Sequence, residues 1–129
     1  MPKEAEVPPQ QGEYKPLVLV EKIGEMIQYS YPLTMGFARK HRELADELRK
    51  SMLTIYRLSV EIDRKYMKKS TTQNLDVELA VLRRLVRMAG DKDFYGGKCP
   101  PPLSLHQYEV WARKNDEIGR LLGGLLKTL

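Results

Sequence analysis

Four stretches of the sequence repeat apolar residues at spacings of three and four, which is the pattern of a helix with one buried face. The first helix is predicted to begin near Pro16, which suits the first turn of a helix. Its buried face is predicted at Leu19, Ile23, Met26, Ser30, Leu33 and Phe37. Pro32 has no backbone N–H, so we expect it to kink or stop this helix, with Gly36 behind it.

The second stretch predicts a helix over residues 42–66, and the third predicts one over residues 75–89. The buried face of the second is predicted at Leu44, Leu48, Met52, Ile55, Ser59, Ile62 and Tyr66. Residues 67–74 are polar and predict a turn, with Asn74 as the N-cap of the third helix. The inward residues of the third helix are predicted to be Val77, Val81, Leu82, Leu85 and Met88. Gly90 is expected to end it.

The fourth helix has the clearest start signal in the sequence. Residues 91–103 contain two glycines and three successive prolines, which predict a loop without regular structure. Ser104 and Gln107 then fit a capping box. The seam that follows is predicted at Trp111, Asn115, Ile118, Leu122, Leu125 and Leu129. Gly119 and Gly123 are expected to let another helix approach closely, and Asn115 is expected to set the register of the core.

Four helices joined by short links, without any strand pattern, predict an all-α antiparallel four-helix bundle over residues 16–129. Residues 1–15 carry three prolines and one aliphatic side chain beyond alanine, so they predict a disordered tail. Some apolar residues lie outside the predicted seams, and we expect them to be buried against another subunit. These residues are Leu53, Val60, Leu121 and Leu126.

Length and composition exclude several classes of protein. The 129 residues are enough for one domain. No apolar run exceeds four residues, far below the ~18 of a membrane span, and no secretory signal is evident. Cys99 is the single cysteine, so no internal disulfide can form, and with two distant histidines it cannot build a zinc site. We therefore expect a cytoplasmic protein that uses no metal and does not enter a membrane.

Catalytic motifs are missing from the sequence. It contains no glycine-rich phosphate loop, no HExxH zinc motif and no GxSxG nucleophile motif. Its carboxylates sit mostly beside Lys or Arg, which is typical of salt-bridged helical surfaces. We expect a protein that is not an enzyme and needs no cofactor.

The charge is unevenly distributed. The 22 Lys and Arg residues exceed the 17 Asp and Glu residues by five. Residues 37–70 carry this whole excess, with ten basic and five acidic residues. Such a local excess indicates a polyanionic partner, nucleic acid first. A solvated helix face, balanced by Glu43, Asp46 and Glu47, is the competing interpretation.

Ten basic residues are therefore candidates for contacts with nucleic acid. Seven precede or line the second helix: Arg39, Lys40, His41, Arg42, Arg49, Lys50 and Arg57. Three more cluster on the third helix: Arg83, Arg84 and Arg87. Arginine suits forked contacts with phosphate, which strengthens the second group. For His41, a simple place at the start of a helix is the competing interpretation.

Four elements together resemble the accessory variability determinant proteins of diversity-generating retroelements. They are Tyr31-Pro32-Leu33, Arg39-Lys40-His41, residues 79–90 (LAVLRRLVRMAG) and residues 104–124 (SLHQYEVWARKNDEIGRLLGG). These proteins belong with the four-helix-bundle proteins encoded in ribosomal RNA intervening sequences. The likeness covers roughly residues 17–129.

The resemblance implies both an assembly and a role. It implies a homopentameric barrel of four-helix bundles that binds the element's reverse transcriptase and template RNA, and that can bind DNA. Such a protein has no catalytic activity and supports mutagenic copying of the template repeat by the transcriptase. The positions that are also basic in the family pattern are Arg39, Lys40, His41, Arg83, Arg87 and Arg120. Arg84 replaces an apolar residue and would enlarge the basic surface.

Two other functions remain open at this point. One is a four-helix-bundle protein encoded in a ribosomal RNA intervening sequence, without a reverse transcriptase partner. The other is a purely structural helical oligomer. A reverse transcriptase gene with template and variable repeats beside this gene would decide for the retroelement protein.

Overall fold

The computed structural model describes residues 15–64 and 69–129, and these residues form four long helices. The helices are α1 (Lys15–Met35), α2 (Arg42–Arg64), α3 (Lys69–Gly90) and α4 (Leu105–Leu126). Short 3-10 turns occupy Arg39–His41 and Lys92–Tyr95. No strand occurs in the part of the chain so described. The predicted all-α fold is confirmed.

Each helix packs against its neighbours in the chain, and α1 closes the bundle against α4. Short connections make successive helices antiparallel. The core is built by all four helices, with Leu19, Met52, Leu82 and Trp111 among its fully buried side chains. The predicted tail, residues 1–15, lies outside the described residues except for Lys15, the first residue of α1. None of the described helices is long and apolar enough to cross a membrane.

Pro32 does not stop α1, which continues to Met35. The proline ring lies on the exposed side of the helix. The Gln28 carbonyl, which loses its helical partner there, is therefore on a side that water can reach. Phe37 lies beyond the helix and is only half-buried against the core.

The start and the phase of α3 differ from the prediction. Residues 69–74, predicted as a turn, belong to the helix, so Asn74 is an interior residue and not an N-cap. Val77 and Val81, predicted to face inward, are 63% and 43% exposed. The buried face is formed by Thr72, Leu75, Leu79, Leu82, Val86 and Ala89. Because Thr72 is buried, the buried face of α3 extends into residues 69–74, although these residues are polar in composition.

The other predicted helix ends are mostly close to the observed ones. The capping box of α4 is confirmed: Ser104 Oγ accepts from Gln107 N (3.1 Å), and Gln107 Oε1 accepts from Ser104 N (3.0 Å). The predicted last residue of the second helix, Tyr66, lies outside the described residues. Leu129 was predicted in the α4 seam, but it lies beyond the end of the helix and is exposed.

The connection between α3 and α4 is more ordered than predicted. The Asp91 carboxylate accepts from Asp93 N (2.9 Å) and begins a 3-10 turn, which ends at Gly96 in the left-handed region (φ 55°). Further on, Leu103 N donates to Ala89 O (3.0 Å), and the Leu103 side chain is buried in the core. The two ends of this connection are therefore joined directly.

Helices α3 and α4 approach each other most closely at Gly90, a glycine that the sequence pattern predicted only as the end of the third helix. A Cβ at Gly90 would lie 2.6 Å from Cδ1 and 3.0 Å from Cβ of Tyr108 on α4. At Gly119 the near atom is Nη1 of Arg83, at 2.9 Å, which is the end of a flexible side chain. Gly123 faces open space. Side chains of α3, from Arg83 and Leu79, therefore lie over Gly119, whereas the predicted close approach is not found at Gly123, and the tightest contact is at Gly90.

Candidate nucleic-acid interface

The two connections α1–α2 and α3–α4 meet at one end of the bundle, which we call the loop end (residues 36–42 and 88–104). The ring of His41 lies edge-on to the ring of Tyr95, with 5.2 Å between centroids. The Tyr95 hydroxyl in turn donates to the Met88 carbonyl (2.8 Å). These contacts hold the 3-10 turn before α2 against the end of α3.

His41 differs from the basic residues around it because it is only 7% exposed. Its ring also packs edge-on against Phe37, at 6.5 Å between centroids. Its backbone N–H donates to the Ala38 carbonyl (2.8 Å), which closes the 3-10 turn. Within the predicted site, this placement favours a packing role for His41.

Five of the ten candidates are exposed and have no ion-pair partner among residues 15–64 and 69–129. We call them the unpaired basic set: Arg39, Lys40, Arg42, Arg84 and Arg87. Three of them flank His41 at the loop end, and Arg87 lies one turn before the end of α3. A guanidinium or ammonium group without a carboxylate can contact a phosphate without first breaking an ion pair.

Three of the four candidates in α2 are paired with acids of the same helix, and the fourth, Arg42 at its first position, belongs to the unpaired basic set. Arg49 bonds to Asp46 (2.6 Å), Lys50 lies 3.5 Å from Glu47, and Arg57 lies 3.0 Å from Glu61. Arg49 also donates to Thr34 Oγ1 on α1 (3.2 Å). For these residues the geometry fits the competing interpretation of a balanced, solvated helix face.

Arg83 is held between α3 and α4. Its guanidinium bonds to the carboxylate of Asp116, and both side chains are about half exposed. The same guanidinium lies over Gly119, where the missing side chain leaves room for it. Arg83 therefore faces the α3–α4 groove, separate from its unpaired neighbour Arg84.

Sequence reasoning missed two further cations at the loop end. Lys92 and Lys98 are exposed, and neither has an ion-pair partner in the described part of the chain. In the sequence, the negative charges of Asp91 and Asp93 cancel the positive charges of Lys92 and Lys98. A count of net charge therefore does not reveal these two lysines. Asp91, however, directs its carboxylate to the backbone of Asp93.

The Tyr95 hydroxyl at the loop end has a shifted pKa. Burial raises the pKa of Tyr95 above its ordinary value of 10.0, and the charges of Cys99 and Asp91 raise it further. The hydroxyl therefore stays protonated at neutral pH and keeps its hydrogen bond to Met88.

Two cavities adjoin this surface. One of about 890 Å³ lies at the loop end and is mostly apolar, with Pro100, Pro101, Pro102 and Leu105 in its wall. A smaller one of about 230 Å³ lies between α3 and α4, next to Asn115. In residues 15–64 and 69–129, no group of three or more His, Cys, Asp or Glu is placed to hold a metal ion.

A family model described as bAvd-like, where bAvd stands for bacterial accessory variability determinant, matches residues 17–129. The chain belongs to the bAvd-like family. This confirms the resemblance found in the sequence, and bAvd-like accessory proteins are generally non-catalytic. No curated protein matches the chain.

Proposed function

We propose that this bAvd-like protein is the non-enzymatic accessory protein of a diversity-generating retroelement, and that it binds the reverse transcriptase and its template RNA or cDNA. One observation carries the nucleic-acid part of the proposal. The unpaired basic set lies at the loop end and on α3, whereas Arg49, Lys50 and Arg57 along α2 are paired with acids of their own helix. Exposed cations without carboxylate partners can contact phosphates without first breaking an ion pair.

Binding of this kind depends on charge and only weakly on sequence. Contacts to phosphates position a protein on nucleic acid but do not read bases. Lys92 and Lys98 extend the basic surface at the loop end beyond the unpaired basic set. We expect RNA and single-stranded DNA to compete for the same surface.

The assembly that we propose is a homopentameric ring, as the family resemblance implies. Support comes from an apolar groove between α1 and α2, formed by Gly24, Ile27, Leu53 and Tyr56. Leu53 is 53% exposed in the single chain, and Tyr56 is also exposed. A second copy of the chain would bury this groove. In a ring, each subunit would repeat the basic surface, so several weak phosphate contacts would add along one strand.

A salt titration with two matched variants tests the proposal. The first variant replaces Arg39, Lys40, Arg84 and Arg87 with Ala, and the control replaces the paired residues Lys50 and Arg57 with Ala. For a labelled single-stranded RNA, the slope of log K against log salt should fall by about 0.7 for each lost phosphate contact in the first variant. The control should lose much less per residue. If the salt titrations of both variants overlay that of the parent, the unpaired basic set does not bind nucleic acid.

Copurification tests the protein partner. The reverse transcriptase of the same element should be retained on the tagged full chain after a high-salt wash and treatment with nuclease. Retention that disappears with nuclease would mean that nucleic acid bridges the two proteins. In that case the proposed direct binding of the transcriptase would be wrong.

A further inference from the structure

The cavity between α3 and α4 brings together side chains of different chemistry. Its wall contains Val86 and Arg87 from α3, and Tyr108, Ala112 and Asn115 from α4. The ion pair of Arg83 and Asp116 borders the same space. The wall thus offers an aromatic ring, an amide and an unpaired guanidinium within one narrow groove.

Asn115 is the unusual member of this wall. Its side chain is 1% exposed, and neither its amide nitrogen nor its amide oxygen has a hydrogen-bond partner among the described residues. A buried amide without partners destabilises a fold. The seam of α4 continues with Leu122 and Leu125, which fill equivalent positions without that cost. Packing alone therefore favours an aliphatic residue at position 115, and a ligand would give the amide its partners.

The chemistry of the wall identifies the class of ligand. An amide offers one donor and one acceptor side by side, which matches the hydrogen-bonding edge of a nucleobase. Aromatic side chains bind the faces of unstacked bases, and arginine binds the phosphates that join them. We propose that this cavity binds a single unstacked nucleobase of a single-stranded nucleic acid, with Asn115 on its edge, Tyr108 on its face and Arg87 on a neighbouring phosphate. The inference rests on the proposed function and deepens it.

The size and the rim of the cavity agree with this ligand. At about 230 Å³ it is smaller than the ~300–1,000 Å³ of pockets for drug-sized ligands, so it suits one base and excludes a base pair. Arg83 and Asp116 at the rim are half exposed, and exposed ion pairs of this kind rearrange at little cost. In a duplex, the edges of the bases are paired and their faces are stacked. A duplex of equal charge therefore cannot use this cavity.

Binding of single strands and duplexes by Asn115→Leu tests the inference. With the full chain, we expect the parent to prefer a mixed-sequence single-stranded DNA to the duplex of the same sequence. Asn115→Leu should weaken single-strand binding by about 5- to 100-fold, the range for the loss of one bound base. Its duplex binding and its salt slope should equal those of the parent, because its phosphate contacts are intact. Ile118→Leu, one turn along the same seam and outside the cavity wall, is the matched control.

Thermal unfolding separates binding from folding in this experiment. Asn115→Leu should unfold at the same temperature as the parent or higher, because it removes an unsatisfied amide. Tyr108→Leu provides a second variant with the same expected loss of preference for single strands, and its unfolding temperature is measured beside it because Tyr108 also packs against Gly90. An unchanged preference in both variants would overturn the inference while leaving the proposed function standing. If the parent bound neither probe in a salt-dependent way, the proposed function would fail and the inference with it.

Discussion

Three basic residues of α2 (Arg49, Lys50 and Arg57) and three of α3 (Arg83, Arg84 and Arg87) differ in whether an acid of the same helix lies close to them. On α2, each of Arg49, Lys50 and Arg57 meets an acid three or four residues away on its own helix. On α3, Arg84 and Arg87 have no such acid, and Arg83 reaches across to α4 for Asp116. The positions of the carboxylates therefore leave Arg84 and Arg87 on α3 free while these three cations of α2 are paired, and the proposed binding of a polyanion depends on that difference.

The largest expected effect comes from freeing the cations of α2. Replacing Asp46 with Asn and Glu47 with Gln removes the partners of Arg49 and Lys50. The salt slope for single-stranded RNA should steepen by up to about 0.7 for each new phosphate contact, so α2 would come to resemble α3. The measurement is a salt titration followed by fluorescence anisotropy.

A matched control separates freed cations from a change in net charge. Glu21→Gln with Glu109→Gln removes the same two charges, but at exposed sites with no ion-pair partner in the described chain. It should strengthen binding less than the α2 variant does. Equal effects in the two variants would show that net charge alone governs binding. The difference in ion pairing between α2 and α3 would then not explain binding.

A smaller effect is expected where α3 docks against α4, the contact that fixes the direction of the α3 arginines. Gly90→Ala would force its Cβ into the Tyr108 side chain, so we expect a loss of about 1–3 kcal/mol in the free energy of unfolding. Gly123→Ala is the control, because that position is open and lies within a helix. It should be neutral or stabilising by up to about 1 kcal/mol. Denaturant unfolding that ranked Gly123→Ala below Gly90→Ala in stability would contradict this account.

The smallest expected effect concerns the link between the loop end and α3. Tyr95→Phe removes one hydrogen bond to Met88 and should cost about 0.5–1.5 kcal/mol at neutral pH. Because the folded state raises the pKa of Tyr95 above 10.0, ionisation favours the unfolded chain, and stability falls as pH rises through about 10. Tyr95→Phe should show a shallower fall between pH ~9 and ~11. If stability fell equally with pH in the parent and in Tyr95→Phe, the loss of stability at alkaline pH would come from groups other than Tyr95.

The sequence predicted best those elements whose signals are local. The capping box of Ser104 and Gln107 and the α4 seam from Trp111 to Leu125 depend on spacings within one helix, and the structure has them. The phase of α3 was missed because Val77 and Val81 are apolar yet face outward, while the polar Thr72 is buried. Hydrophobicity alone cannot distinguish these cases.

The candidate site shows the same division. The charge excess over residues 37–70 and the arginine cluster on the third helix together included the unpaired basic set, but they could not separate this set from the residues that are paired. His41 packs against Tyr95, and Arg83 pairs with Asp116, each from a distant part of the sequence. Such contacts depend on which connections share an end of the bundle and on how two helices are rotated. Neither can be predicted from the spacing of apolar and charged residues within one helix.

The hydrogen bond from Leu103 N to Ala89 O has a consequence for how the family can diverge. This hydrogen bond joins the two ends of the α3–α4 connection, so the residues between Ala89 and Leu103 form a loop that is closed where it leaves the helices. The cost of closing such a loop grows only slowly with its length. Insertions or deletions around Gly96 and Gly97 would therefore leave the register of α3 and α4 intact. The loop end can change in shape and charge from one bAvd-like protein to the next while the helices that carry it stay the same.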